Sequence, residues 1–160
     1  MCLPTSRLVL VLALSAAPLT AQETTPLRTA GDRPVDVRHL KLELDVDLEQ
    51  RRIKGTATLD VTTLRPLTSI RLDAVNHDVS SVRGARGEKP AGPLTFDNTG
   101  RELVIQLPGQ ARAGEAWQLA IDYSVSNPST GLHFFGPSKT VPGQPLMVWS
   151  HGEPTSNRYW

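Results

Sequence analysis

Residues 37–48 read Val-Arg-His-Leu-Lys-Leu-Glu-Leu-Asp-Val-Asp-Leu. Every second residue from 40 to 48 is leucine or valine, and the residues between them are charged. Successive side chains of a β-strand point to opposite faces, so this pattern predicts one long strand with an apolar face and a charged face. An apolar strand face needs a partner strand and a covering layer, which makes this stretch decisive for the fold.

The residues that follow supply the partner strand. Residues 49–52 read Glu-Gln-Arg-Arg and predict a turn, and residues 53–63 return as a second alternating stretch. Its in-phase apolar residues are Ile53, Ala57, Leu59 and Val61. The two stretches together predict an antiparallel hairpin.

Short alternating stretches continue along the chain, at residues 68–76, 79–82, 94–96, 102–107 and 116–125. Residues 84–93 are rich in glycine and proline and predict a loop, whereas Asp-Asn-Thr-Gly at 97–100 suits a tight hairpin turn. No window of eleven residues beyond residue 21 carries an apolar stripe of helical period. The sequence therefore predicts an all-β fold, an antiparallel β-sandwich or saddle.

The first 36 residues predict two segments outside this domain. Arg7, the apolar run 8–14 and the small residues before Ala21 give residues 1–21 the layout of a secretory signal peptide, too short to span a bilayer. A buried first strand is the alternative for this run. Residues 22–36 are polar, contain Pro26 and Gly31, and predict a linker, so the folded domain covers residues 37–160. We expect an exported protein, periplasmic or extracellular.

The charge balance limits the classes of binding partner, and the cysteine content limits how the domain can be stabilised. Removing residues 1–21 takes away Arg7 and no acidic residue, so sixteen basic and sixteen acidic side chains remain. This balance argues against nucleic acid or an anionic membrane as the main partner. The single cysteine, Cys2, would leave with the signal peptide, so the remaining domain must be stabilised by its core alone.

Residues 149–160 read Trp-Ser-His-Gly-Glu-Pro-Thr-Ser-Asn-Arg-Tyr-Trp. A polar loop that carries Glu153 and Arg158 leads directly into an apolar pair, without a low-complexity tail. We therefore expect that the chain is a fragment of a longer protein.

In order and spacing, these segments resemble the N-terminal domain of gluzincin zinc aminopeptidases, the aminopeptidase N and leukotriene-hydrolase family. The first hairpin is similar to the family's Tyr-x-Leu-x-Leu-x-Pro-x-Leu and Phe-x-Gly-x-Val-x-Ile strands, and Ser-His-Gly-Glu at 150–153 stands where the family has Thr-Gln-x-Glu. The resemblance extends over residues 37–160. The segments that carry it are residues 39–48, 53–59, 72–74, 121–123, 131–135 and 150–153.

The resemblance implies a substrate-binding role for two residues. Glu153 falls on the glutamate that pairs with the free α-amine of a peptide, a charge-assisted hydrogen bond that selects N-termini over internal amides. His151 replaces the family's glutamine, which helps to hold the substrate backbone, and can still donate a hydrogen bond. The implied partners are the N-terminus of a peptide substrate and the missing catalytic domain of the same polypeptide.

The zinc chemistry of the family is not expected in this chain. The His-Glu-x-x-His motif with its general-base glutamate and the Gly-x-Met-Glu-Asn loop are absent from the sequence. The four histidines show no pair at helical spacing; they are His39, His77, His133 and His151. We therefore expect no cofactor in this chain, zinc in the missing catalytic domain, and no activity of the chain alone.

Plainer interpretations remain open for the same residues. Glu153 could be a solvated turn residue, and Arg158 could form a structural ion pair. Trp117 and Trp149 could be core residues. The chain could also be a self-contained secreted β-sandwich that acts as a binding or adhesion module, or a non-catalytic scaffold relative. A self-contained module should bury Tyr159 and Trp160, whereas a fragment should leave an unpaired strand edge and an exposed apolar patch.

Overall fold

The computed structural model describes residues 33–153 and 156–160. The predicted signal peptide, residues 1–21, and linker residues 22–32 lie outside this part. Ten strands and one short 3-10 helix follow one another along it. They are β1 (Val35–Asp47), β2 (Arg52–Thr63), β3 (Leu67–Asp73), β4 (Asp78–Arg86), β5 (Lys89–Pro93), β6 (Phe96–Asn98), β7 (Glu102–Ala111), β8 (Ala116–Ser126), β9 (Leu132–Phe135), β10 (Met147–Ser150) and the 3-10 helix Ser156–Tyr159.

Five strands form the large sheet, in the order β1-β2-β8-β4-β5, and every pairing is antiparallel. The register places Leu42 opposite Ala57, Ala57 opposite Ile121 and Ile121 opposite Val82. Residues directly opposite each other share a face of a sheet, so the in-phase apolar residues of these four strands form one continuous apolar face.

A three-stranded sheet, ordered β3-β7-β6, provides the second layer of the core. Its buried residues Ile70, Leu103 and Ile105 belong to the same apolar cluster as Leu119 and Ile121 of the large sheet. The tight turn at 97–100 is confirmed, because Gly100 donates its N–H to Asn98 Oδ1 over 3.0 Å and adopts a φ of 78°. The prediction of an all-β antiparallel sandwich is confirmed.

The prediction of a loop at residues 84–93 is wrong. This segment forms the end of β4 and the whole of β5, joined by a turn in which Gly87 has a φ of 56°. A register shift between Gly84 and Ala85 interrupts the pairing, and β5 lies at the edge of the sheet. Proline and glycine are tolerated at an edge with a bulge, since one side of the strand needs no ladder hydrogen bonds.

The apolar face of β1 is not buried, contrary to the prediction from the sequence that a second layer covers it. Leu40, Leu42, Leu44 and Val46 keep 39–44% of their surface exposed. The buried core cluster takes only Val35 from β1, so the described second layer covers β2, β8 and β4 but not the rest of the first strand. An alternating pattern predicts two faces of a strand, but it does not show how far the covering layer extends.

Candidate functional site

The residues singled out by sequence lie on a separate hairpin formed by β9 and β10. Trp149 is opposite His133 in this two-stranded sheet, and the His151 N–H donates to the Gly131 carbonyl oxygen over 2.8 Å. This hydrogen bond extends the antiparallel pairing of the hairpin by one residue beyond the end of β10. It fixes the backbone at the start of the Gly152–Glu153 turn.

The far end of the segment is held against the core domain. Val75 N–H donates to the Arg158 carbonyl oxygen over 2.9 Å, and the Arg158 guanidinium lies 3.3 Å from the Asp73 carboxylate. Trp160 Nε1–H donates to the Asp73 carbonyl oxygen over 2.6 Å. The ion pair expected for Arg158 is therefore present, and the segment from 151 to 160 is anchored where it begins and where it ends.

Three rings at the anchored end pack together. The His77 ring lies 4.9 Å from Tyr123 and 4.6 Å from Trp160, and Tyr123 and Trp160 meet edge to face at 4.9 Å between centroids. Burial raises the pKa of Tyr123 to about 12. No local sequence pattern assigns a role to His77, because nothing around it shows that residue 160 returns to this ring.

His77 also makes the packing of this segment sensitive to pH. Its Nδ1 lies 3.1 Å from the Val75 carbonyl oxygen and its Nε2 contacts the Trp160 carbonyl oxygen. Burial lowers the pKa of His77, and these two contacts offset that effect only in part. The folded state therefore prefers the neutral ring more strongly than the unfolded chain does.

We predict that acid weakens the fold through His77. Since the pKa in the folded state lies below about 6.5, the unfolded value, the contribution of the neutral ring is complete above that pH and declines as the pH falls below it. Urea unfolding between pH 7.5 and 5 should show a smaller loss of stability for His77→Gln than for the wild type. His39→Gln, at an exposed site, should keep the wild-type slope. Equal slopes for all three proteins would contradict the prediction.

The expectation that Trp149 is a core residue is wrong, whereas Trp117 is buried as predicted. Trp149 keeps 49% of its surface exposed because β9 and β10 form their own small sheet, one face of which is open. Its ring stacks on His133 at 4.9 Å and meets His151 edge-on at 5.7 Å. The His151 ring therefore has an aromatic neighbour that limits its orientations.

Glu153 is exposed at the turn that follows His151. No hydrogen bond or ion pair from another residue in 33–153 or 156–160 engages its carboxylate; only its carbonyl oxygen is contacted, by Ser156 Oγ at 3.5 Å. The hypothesis of a substrate-binding glutamate requires such a free and exposed carboxylate. The structure thus places His151 and Glu153 on one anchored turn, and their role stays a prediction.

A groove of about 410 Å³ runs between this segment and the apolar face of β1. Leu40, Leu42 and Leu44 form one wall, and His151, Tyr159 and Trp160 lie along the other side.

Within 33–153 and 156–160, no three His, Cys, Asp or Glu side chains are grouped so that they could hold a metal ion. No helix in the same residues is long and apolar enough to cross a bilayer.

Comparison with known proteins gives a consistent picture. The family model for the peptidase M1 N-terminal domain matches residues 36–160. A leukotriene A-4 hydrolase homolog of Botryotinia fuckeliana is 31% identical over 127 residues, which cover 76% of this chain and 19% of that protein. The chain thus spans about a fifth of the length of this curated relative.

Solved structures share the fold. An M1 zinc metallopeptidase mutant of Deinococcus radiodurans, bound to a Tyr-Ser-Ala substrate, is 25% identical with a TM-score of 0.59, covering 79% of this chain and 28% of the other. Another crystal structure of an M1 zinc metallopeptidase mutant from that organism is 26% identical with a TM-score of 0.53. The match covers 62% of this chain and 22% of that one. Yeast LTA4 hydrolase in complex with bestatin is 23% identical with a TM-score of 0.61, and the match covers 78% of this chain and 20% of that one. At this identity the similarity shows only a shared fold.

Proposed function

The chain belongs to the peptidase M1 N-terminal domain family, and from this membership we propose that it serves an exported zinc aminopeptidase as the domain that binds the substrate's free N-terminus. The known relatives are several times longer than this chain, which supports a second, catalytic domain in the same polypeptide. We assign zinc to that domain by analogy with the M1 zinc metallopeptidases that this chain resembles. The contribution of this chain is to bind and orient the peptide.

The observation that carries the proposal is the exposed carboxylate of Glu153, which has no partner among residues 33–153 and 156–160 and lies two residues after a backbone that is hydrogen-bonded at His151. A backbone held on this side limits the positions of the carboxylate, so less conformational entropy is lost when it pairs with an ammonium group. The ammonium of a peptide N-terminus would make a charge-assisted hydrogen bond to it. An acetylated N-terminus has no positive charge and would leave the carboxylate desolvated without a partner.

His151 provides the second contact of the proposed site. Its backbone N–H already donates to the Gly131 carbonyl oxygen, so the imidazole is the hydrogen-bond donor that His151 can offer to a ligand. The ring is exposed and lies beside Trp149, two residues before Glu153. We assign to it a hydrogen bond to the peptide backbone of the substrate's first residues.

Substitution of Glu153 tests the proposal in the complete polypeptide that the gene encodes. Glu153→Gln keeps the shape and removes the charge, so kcat/KM for an unblocked aminoacyl substrate should fall by about thirtyfold, equivalent to roughly 2 kcal/mol. The same variant should discriminate less between free and N-acetylated peptides. Glu49→Gln, in the exposed turn between β1 and β2, is the matched control and should behave as the wild type.

Two results would overturn the proposal. One is an unchanged preference for free N-termini in Glu153→Gln, which would show that another group binds the amine. The other is a coding sequence that stops directly after the Trp160 codon, because the zinc-bearing domain would then be absent. A reading frame that continues into a His-Glu-x-x-His motif is the expected result.

A further inference from the structure

The imidazole of His151 has no hydrogen bond that would fix its orientation. Its backbone N–H donates to the Gly131 carbonyl oxygen over 2.8 Å, but its side chain is exposed. In the described ranges 33–153 and 156–160, no hydrogen bond or ion pair engages either ring nitrogen, and the aromatic contact of the imidazole is with Trp149. The positions of the two nitrogens therefore depend on the side-chain torsions of His151 and on this neighbour.

Free rotation of the His151 ring would weaken any hydrogen bond that it makes to a ligand. A histidine has three staggered orientations about χ1 and about two about χ2, so an unhindered ring has roughly six orientations. A ring that is already held in the binding orientation loses less entropy when the ligand arrives. An ordered ring can thus bind up to about sixfold more tightly than a freely rotating one.

Trp149 is placed to restrict this rotation. Its ring meets the His151 imidazole at 5.7 Å between centroids, with an interplanar angle of 61°. Aromatic pairs prefer such an edge-to-face arrangement at separations of about 4.5–7 Å. The indole therefore favours the observed orientation of the imidazole and excludes those orientations that would overlap it.

The Trp149 ring is itself held by His133. The two residues are directly opposite each other in the β9–β10 hairpin. Their rings stack at 4.9 Å with an interplanar angle of 23°, and aromatic pairs across two strands stabilise the pairing. The three rings of His133, Trp149 and His151, called the ring stack below, thus join the paired part of the hairpin to the exposed imidazole.

We propose that Trp149, held by His133, is a positioning residue that keeps the His151 imidazole oriented for its hydrogen bond to the substrate backbone. The role assigned to Trp149 rests on the proposed function, because it acts only through His151. Glu153 lies outside the ring stack, so its pairing with the ammonium group does not depend on Trp149. Loss of the indole should therefore weaken backbone binding and leave the preference for free N-termini unchanged.

A double-mutant cycle tests the coupling in the complete polypeptide. The substrate is the free tripeptide Ala-Ala-Ala, whose methyl side chains offer no ring that could stack on Trp149. Trp149→Ala should lower kcat/KM about fivefold, and His151→Ala should lower it about tenfold. The double variant should stay within about twofold of His151→Ala, because it has no imidazole left to orient.

Two control variants separate positioning from general packing. Trp149→Phe keeps an aromatic ring beside His151 and should return kcat/KM to within about twofold of the wild type. Met147→Ala changes a side chain that is 47% exposed on the same face of β10, opposite Phe135, and should behave as the wild type. In Trp149→Ala, a wild-type preference for free over N-acetylated peptides shows that the turn with Glu153 is still folded.

The possible failures are distinguishable. A loss of about fiftyfold in the double variant would mean that the two residues act independently. Trp149 would then contact the substrate or the catalytic domain directly, and the inference would be overturned while the proposed function stood. Wild-type kinetics for His151→Ala would overturn both this inference and the role of His151 in the proposed function. Only the Glu153→Gln experiment addresses the binding of the amine.

Discussion

Leu119→Ala should lower the free energy of unfolding by about 3 kcal/mol, among the largest effects expected for any single truncation in this chain. Leu119 is fully buried in β8, the strand that lies between β2 and β4 in the large sheet. Its truncation removes apolar surface from the layer between the two sheets and leaves a cavity that the rigid neighbours cannot fill. Urea denaturation followed by tryptophan fluorescence measures the loss, at an unchanged slope against urea concentration.

Leu64→Ala is the matched control, because it makes the same chemical change at a residue that is 49% exposed. It should cost less than about 1 kcal/mol. The difference between the two variants locates the core between the sheets. Equal losses for both would contradict that location, since a leucine that is half in water cannot lose as much burial as one in the core.

Most of the fold could be predicted from the sequence because each strand alternates with a period of two residues. The alternation of Trp117, Leu119 and Ile121 indicated a buried strand face, and these residues are buried. Hairpin neighbours are also local, so the β1–β2 pair followed directly from its turn. The failure at residues 84–93 has the same origin: an edge strand with glycine and proline carries no alternation to detect.

The candidate site could be predicted only in part. Glu153 and His151 were found through a resemblance, because a short polar loop has no physical pattern of its own. The contact between His77 and Trp160 joins residues 83 positions apart, and no local periodicity encodes such a contact. The exposure of Trp149 depends on the absence of a covering layer over the described β9–β10 hairpin, which is a property of the whole fold rather than of the strand.

Gly131→Ala should release the segment that carries Glu153. Gly131 has a φ of 82°, a conformation that costs an alanine about 1 kcal/mol or more. A Cβ at this position would also overlap the Cβ of Tyr159 and lie 3.2 Å from its Cγ. Because the position of the Tyr159 Cβ is set by the backbone, relief requires that the backbone of Gly131 or of the 3-10 helix moves. The combined cost is about 3 kcal/mol.

The release can be measured at a single amide. Val75 N–H donates to the Arg158 carbonyl oxygen, so detachment of the 3-10 helix exposes this N–H to solvent. Its hydrogen exchange in Gly131→Ala should be about a hundredfold faster than in the wild type, if the cost falls on the local anchoring. Amides within β8 should exchange much as before, because the core between the sheets is not changed.

Gly92→Ala separates the two causes. Gly92 has a φ of 80°, nearly that of Gly131, but a Cβ there would meet nothing within 4 Å. It therefore reports the backbone strain alone, about 1 kcal/mol, and should leave Val75 exchange at the wild-type rate. If both variants lost the same stability and neither changed Val75, the contact between Gly131 and Tyr159 would contribute nothing to the anchoring. The larger effect at Gly131 would instead show that close packing against Tyr159 holds the turn with His151 and Glu153 in place.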